Sequence, residues 1–164
     1  MGFAHLVNIV AAIKAFKVKY NIPRDVLIEY CPEGDIEDER MPRVIFILLM
    51  TVQEGGVRFS LNPLLLGTLR FYGLNPDQCL LNFYRAVAPV NRLIRLYKLR
   101  STHHDINFLY SCCGNLKNNY YLKVRDPQIR LISYFLDSNK NSQGEFIKVS
   151  KNWLTDELTC PTSL

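Results

Sequence analysis

Lysine and arginine are missing from the start of this chain; the first is Lys14. A secretory leader needs a charged n-region there, so none is expected. The uncharged run before Lys14 is also too short for a spanning helix of about 20 residues. Gly2 suggests a myristoyl site, but Leu6 stands where that signal needs Ser or Thr. No Cys-x-x-Cys occurs, and the five cysteines (Cys31, Cys79, Cys112, Cys113, Cys160) are odd in number. Both facts argue against a secreted disulfide framework and for reduced thiols. Gly-x-Gly-x-x-Gly, the P-loop and Gly-x-Ser-x-Gly are absent, which removes the usual phosphate cradles and the nucleophile turn. Nothing repeats at a period of about 20–50 residues, so a solenoid is not expected. The expectation is a soluble intracellular protein, nuclear or cytoplasmic, with no membrane contact.

What is present is enough apolar material for one ordinary core. The 164 residues are 48% hydrophobic and 21% charged, which suits one ordered domain. The net charge is +5, and it is unevenly spread. Residues 1–40 hold 5 Lys/Arg against 7 Asp/Glu, whereas residues 41–164 hold 15 against 8. An excess of this kind is compatible with nucleic acid or acidic partners.

The chain is organised around Arg58 to Arg85, which reads as a packed helix, a Gly-Leu-Asn-Pro corner and the start of a longer helix. Upstream, Leu6, Ile9, Val10, Ile13 and Phe16 predict a helix over 3–19 with one apolar face. Pro23 to Tyr30 predicts a short helix with Pro in its first turn. The acidic run Asp35 to Arg40 lacks the alternating ligands and turn glycine of a calcium loop, and reads as a solvated loop. Val44 to Met50 is apolar throughout, so periodicity leaves strand and helix open. Pro42 before it and Gly55-Gly56 after it favour a helix over 42–54.

Ser60 is the expected N-cap of the next helix, with Pro63 in its first turn and Gly73 at its end. Leu64, Leu65, Thr68, Leu69 and Tyr72 form its buried stripe. After Asn75-Pro76-Asp77, Leu80, Phe83, Tyr84, Val87, Val90, Ile94 and Tyr97 mark a long helix. Pro89 predicts a kink, or two helices meeting near Ala88. Thr102 and Asp105 predict a capped helix that runs to Gly114. Tyr120–Val124, Arg130–Phe135 and Glu145–Val149 read as strands of one small sheet, with a polar loop at 137–144 and Trp153 over the core.

Candidate chemistry is sparse. His103, His104, Cys112 and Cys113 suggest zinc. On one straight helix, however, His104 and Cys112 would lie about 12 Å apart, too far to share a metal. His104 and Asp105 are helical neighbours and do not face each other. The best candidate surface is basic. Arg85, Arg92 and Arg95 project opposite the apolar stripe of the long helix. With Arg70 and Arg100 they form the candidate nucleic-acid-binding set. Tyr120-Tyr121 with Lys123, Arg125 and Arg130 offers a second, stacking-type strip.

The residues Gly56-Val57-Arg58-Phe59, Leu61, Pro63, Tyr72-Gly73-Leu74, Pro76, Gln78 and Asn82 follow one another along the middle of the chain and carry a resemblance. Ile22 to Ile28, His104-Asp105-Ile106, Tyr120-Tyr121-Leu122, Ser138-Asn139-Lys140, Phe146-Ile147, Val149 and Trp153 carry it too. In this order, over about residues 21–160, the chain resembles the plant family known as the gypsy-type transposon, or transposase-like, domain. Leu81 and Ser60 replace prolines of that pattern, and Pro89 interrupts its long helix, as in a drifted copy. The resemblance implies a mobile-element origin in a plant genome and carries no catalytic residues. A zinc knuckle, an Asp-(Ser/Thr)-Gly triplet and a polymerase Asp-Asp motif are missing from the sequence, and the acids that strand transfer would need as three spaced metal ligands lie mostly in one loop and at helix ends.

The expected fold class is therefore α+β: a mostly helical bundle of five or six helices followed by a small antiparallel β-sheet. Residues 1–20 are expected as an N-terminal helix outside the resemblance, 21–154 as a single domain and 155–164 as an unstructured tail, the edge of a longer protein. The expected role is a non-catalytic interaction or assembly module that self-associates or docks another element-encoded protein. The alternative is weak, sequence-nonspecific nucleic-acid binding by the arginine-rich helix face. No cofactor, metal, catalytic residue or small-molecule ligand is expected.

Overall fold

The computed structural model describes residues 4–36, 41, 43–129, 144–151 and 153. A 3-10 turn at Ala4–Leu6 leads into helix α1 (Val10–Lys19). Strand β1 (Leu27–Pro32) follows, then a 3-10 turn at Glu33–Asp35. Strand β2 (Ile45–Leu48) passes directly into the short helix α2 (Leu49–Gln53). Helix α3 (Pro63–Tyr72), a 3-10 corner at Pro76–Gln78 and helix α4 (Leu81–Tyr97) form the middle of the chain. Helix α5 (His103–Leu109) runs into strand β3 (Tyr110–Gly114), which is followed by β4 (Tyr120–Val124) and β5 (Glu145–Ser150).

The expected helical bundle with a trailing sheet is not the fold. Among the described residues there are five α-helices and five strands in two sheets, so the class is a mixed α+β fold. One sheet has the order β1-β5-β2, and the late strand β5 lies between two early ones, antiparallel to both. The other sheet is the antiparallel hairpin β3-β4. The strands around Tyr120 and Glu145 do form, but in different sheets. The strand expected at 130–135 and the tail at 155–164 lie outside the described residues.

The reason for the correction is burial on both faces. Ile45 pairs with Val149 and Ile47 with Ile147, and these side chains join the main core. Phe46, Leu48 and Phe146 point the other way, with Cys31 and Ile36, into a second small cluster. All four residues of β2 are buried. A strand covered on both sides shows no alternation and reads like a buried helix. Its β-branched residues suit a pleated strand better. Likewise, Leu27–Pro32 is a strand rather than a helix because Ile28 and Cys31 are buried on opposite sides while β5 accepts its backbone.

Local punctuation holds better further on. The N-cap of α3 is Asn62, two residues beyond the expected Ser60; its Oδ1 accepts from Leu65 N–H at 2.8 Å. Gly73 ends α3 in the left-handed conformation, with φ 65°. α5 starts with the expected box of Thr102 and Asp105. It stops at Leu109, short of the expected Gly114, because Tyr110–Gly114 pairs with β4. α4 is unbroken through Pro89, so the expected division near Ala88 does not occur. Trp153 is buried over the core, as expected, and donates its indole N–H to Arg43 O at 2.8 Å.

Candidate nucleic-acid interface

α4 has two unlike faces. Leu81, Phe83, Tyr84, Ala86, Val87 and Val90 are buried. Arg85, Ala88, Pro89, Arg92, Arg95 and Leu96 recur at three- and four-residue steps on the side that lines a groove. From Arg85 to Arg95 this stripe runs about 15 Å along the helix axis. The second wall comes from the segment after α2: Glu54, Gly55, Gly56 and Arg58. The groove between them has a volume of about 680 Å³.

Two glycines bring the second wall close. Gly56 has φ +75°, and a Cβ there would come within 2.9 Å of Ala88 Cβ on α4. A Cβ on Gly55 would meet Thr51 O at 2.6 Å and Leu81 Cδ1 at 3.1 Å. Only residues without side chains let this segment lie against α4.

The arginines are held differently. Arg58 donates through Nη1 to Val52 O at 3.0 Å and to Val57 O at 2.6 Å. Its guanidinium also stands over the Tyr20 ring, 5.7 Å from the centroid. Arg85 Nη2 donates to Glu54 Oε2 at 2.7 Å. Arg92 and Arg95 are exposed. Among the described residues the groove therefore carries four guanidinium groups and one carboxylate.

Three of the five expected residues, Arg85, Arg92 and Arg95, are thus brought together. Arg70 is exposed on α3 and Arg100 is exposed beyond α4, and neither lines the groove. Arg58 joins the set without having been singled out as a site residue. It lies far upstream of α4, and no periodicity links it to that helix. The helix stop at Gly55-Gly56 was the nearest signal. The second candidate strip is not supported in the same way. Arg125 Nε donates to Asn107 O at 2.8 Å and to Tyr110 O at 3.1 Å, tying the α5–β3 corner, while Arg130 lies outside the described residues.

His103 and His104 pack ring against ring at 4.2 Å, beside Phe71. Cys112 and Cys113 lie on β3, not on the same helix as these histidines. Burial first, and Cys113 beside it second, push the Cys112 thiol up to about 11. A thiol so shifted is a poor thiolate nucleophile at neutral pH. Among the described residues no three His, Cys, Asp or Glu side chains gather to hold a metal ion. No described helix is long and apolar enough to cross a membrane. No family model, curated protein or solved structure matches this chain.

Proposed function

We propose that this chain is a non-catalytic interaction module whose partner is nucleic acid, bound through its phosphate backbone without sequence preference. The observation that carries this reading is the convergence of Arg58, Arg85, Arg92 and Arg95 on one groove that, among the described residues, holds a single carboxylate. Guanidinium groups match phosphate oxygens in geometry and charge. A stripe about 15 Å long along one helix suits successive phosphates of an extended strand better than an isolated anion. The apolar groove residues Ala88, Pro89 and Leu96 offer sugars and bases a surface without hydrogen-bonding demands. Backbone contacts of this kind position a strand and carry no base readout. The mobile-element origin rests on the ordered resemblance over residues 21–160, in which nucleic-acid binding would be a fitting role.

Titration of fluorescent oligothymidylate, oligouridylate and a duplex at several salt concentrations tests the reading. Log affinity for single strands should fall with log salt by about 0.7 per phosphate neutralised. Arg92→Gln with Arg95→Gln should weaken binding and flatten that slope by one to two contacts. Arg70→Gln and Arg100→Gln, away from the groove, should leave both unchanged. Equal losses in the two pairs would overturn the groove as the site, and no binding at low salt would overturn the function.

A further inference from the structure

The groove's one carboxylate among the described residues lies on the guanidinium that begins its arginine stripe. Glu54 Oε2 is 2.7 Å from Arg85 Nη2, and Arg85 Nε also donates to the Glu54 backbone carbonyl at 3.4 Å. Neither side chain is deeply buried, at 26% relative exposure for Arg85 and 45% for Glu54. An ion pair in such a position adds little to stability. It does change what a ligand meets. Arg58 has its backbone carbonyl contacts, and Arg92 and Arg95 are exposed to solvent, but Arg85 already holds an anion.

We propose that Glu54 is a built-in competitor for phosphate: it occupies the Arg85 subsite in the free protein and must leave when a strand fills the groove. The proposal rests on the nucleic-acid reading above. Glu54 then sets specificity. A ligand reaching only Arg92 and Arg95 leaves the pair intact. A strand long enough to lie along the whole stripe displaces the carboxylate, and the charge-assisted bond to Arg85 then passes to a phosphate. The released carboxylate still faces the bound strand, so it costs affinity in both steps. Its position at the end of α2 is set by the two glycines that follow, which hold this segment against α4.

Oligothymidylate binding to the full chain tests the proposal, with Glu54→Gln, Arg85→Gln and the double variant compared. Glu54→Gln should tighten binding about three- to tenfold, the range expected when an exposed pair of this type is released and a like charge is removed from the ligand. Its salt slope for a strand that spans the stripe should stay close to the parent's, because Arg85 meets a phosphate in both complexes. In the Arg85→Gln background the same change should do much less, because no subsite is left to free. Unchanged affinity in Glu54→Gln, with Arg92→Gln and Arg95→Gln still weakening binding, would overturn the competitor and keep the groove. Weaker binding in Glu54→Gln would also overturn it, since Glu54 would then be orienting Arg85. An equal gain with and without Arg85 would reduce the effect to bulk charge and overturn the local mechanism. If no variant binds, both proposals fall.

Discussion

Asn82 is buried at the start of α4 and bonds across to β4. Its Nδ2 donates to Leu122 O at 3.4 Å, and its Oδ1 accepts from Leu122 N–H at 3.3 Å. The side-chain amide thus stands in for one residue of a neighbouring strand. Thr51 and Thr68, also buried, use their hydroxyls differently: each donates to a carbonyl three or four residues back. The two kinds of residue should respond differently to substitution. Asn82→Leu removes two bonds and leaves a buried N–H and C=O without that partner, so a loss of about 2–4 kcal/mol is expected. Thr68→Val leaves an exchangeable helix bond unmade and should cost no more than about 1 kcal/mol. Urea unfolding of the two variants measures the difference; equal losses would mean that Asn82 does not pin α4 to β4. The position was visible in the sequence only as part of a resemblance, because its partner lies 40 residues away.

α4 is the element whose sequence reading left one choice open. Its two faces follow from helical spacing alone, so the buried stripe and the arginine side were legible. The choice between a kink in one helix and two helices at Pro89 was not. Pro89 has no N–H to give the Arg85 carbonyl, yet the helix runs through from Leu81 to Tyr97. The proline is half-buried on the groove side, where its ring joins the wall rather than facing the core. Tertiary contacts on the opposite face hold the helix against the loss: Phe83, Tyr84 and Val87 are buried, and Tyr84 donates its hydroxyl to Pro76 O at 2.8 Å. Burial pushes the Tyr84 phenol well above its ordinary range, so it stays a donor there. Pro89→Ala should restore the missing helical bond and raise stability by about 1–3 kcal/mol. Thermal unfolding reads this directly, and a variant no more stable than the parent would mean that packing has already absorbed the cost.

At the scale of the whole molecule, β5 closes the structure. It pairs with β1 on one side and β2 on the other, and Ile147 and Val149 enter the main core from it. A chain ending at residue 143 would leave β1 and β2 without their shared partner and strip those side chains from the core. It should lose cooperative unfolding in circular dichroism; a sharp transition in that truncated chain would show that the helical part folds alone. Local signals were enough, from the sequence by itself, to determine α3 with Pro63 and Gly73, α5 with its Thr102–Asp105 box, and the two faces of α4. These depend on residues within about one or two helical turns, where spacing and capping chemistry decide the outcome. Tertiary structure alone decided that Leu27–Pro32 and Ile45–Leu48 are strands, since their hydrogen-bonding partner lies almost a hundred residues or more along the chain. It also decided which arginines share a surface. Arg58 and Glu54 reach α4 only because Gly55 and Gly56 allow close packing on Leu81 and Ala88. Periodicity describes one element at a time; a groove between two segments exists only once their packing has set the distance between them.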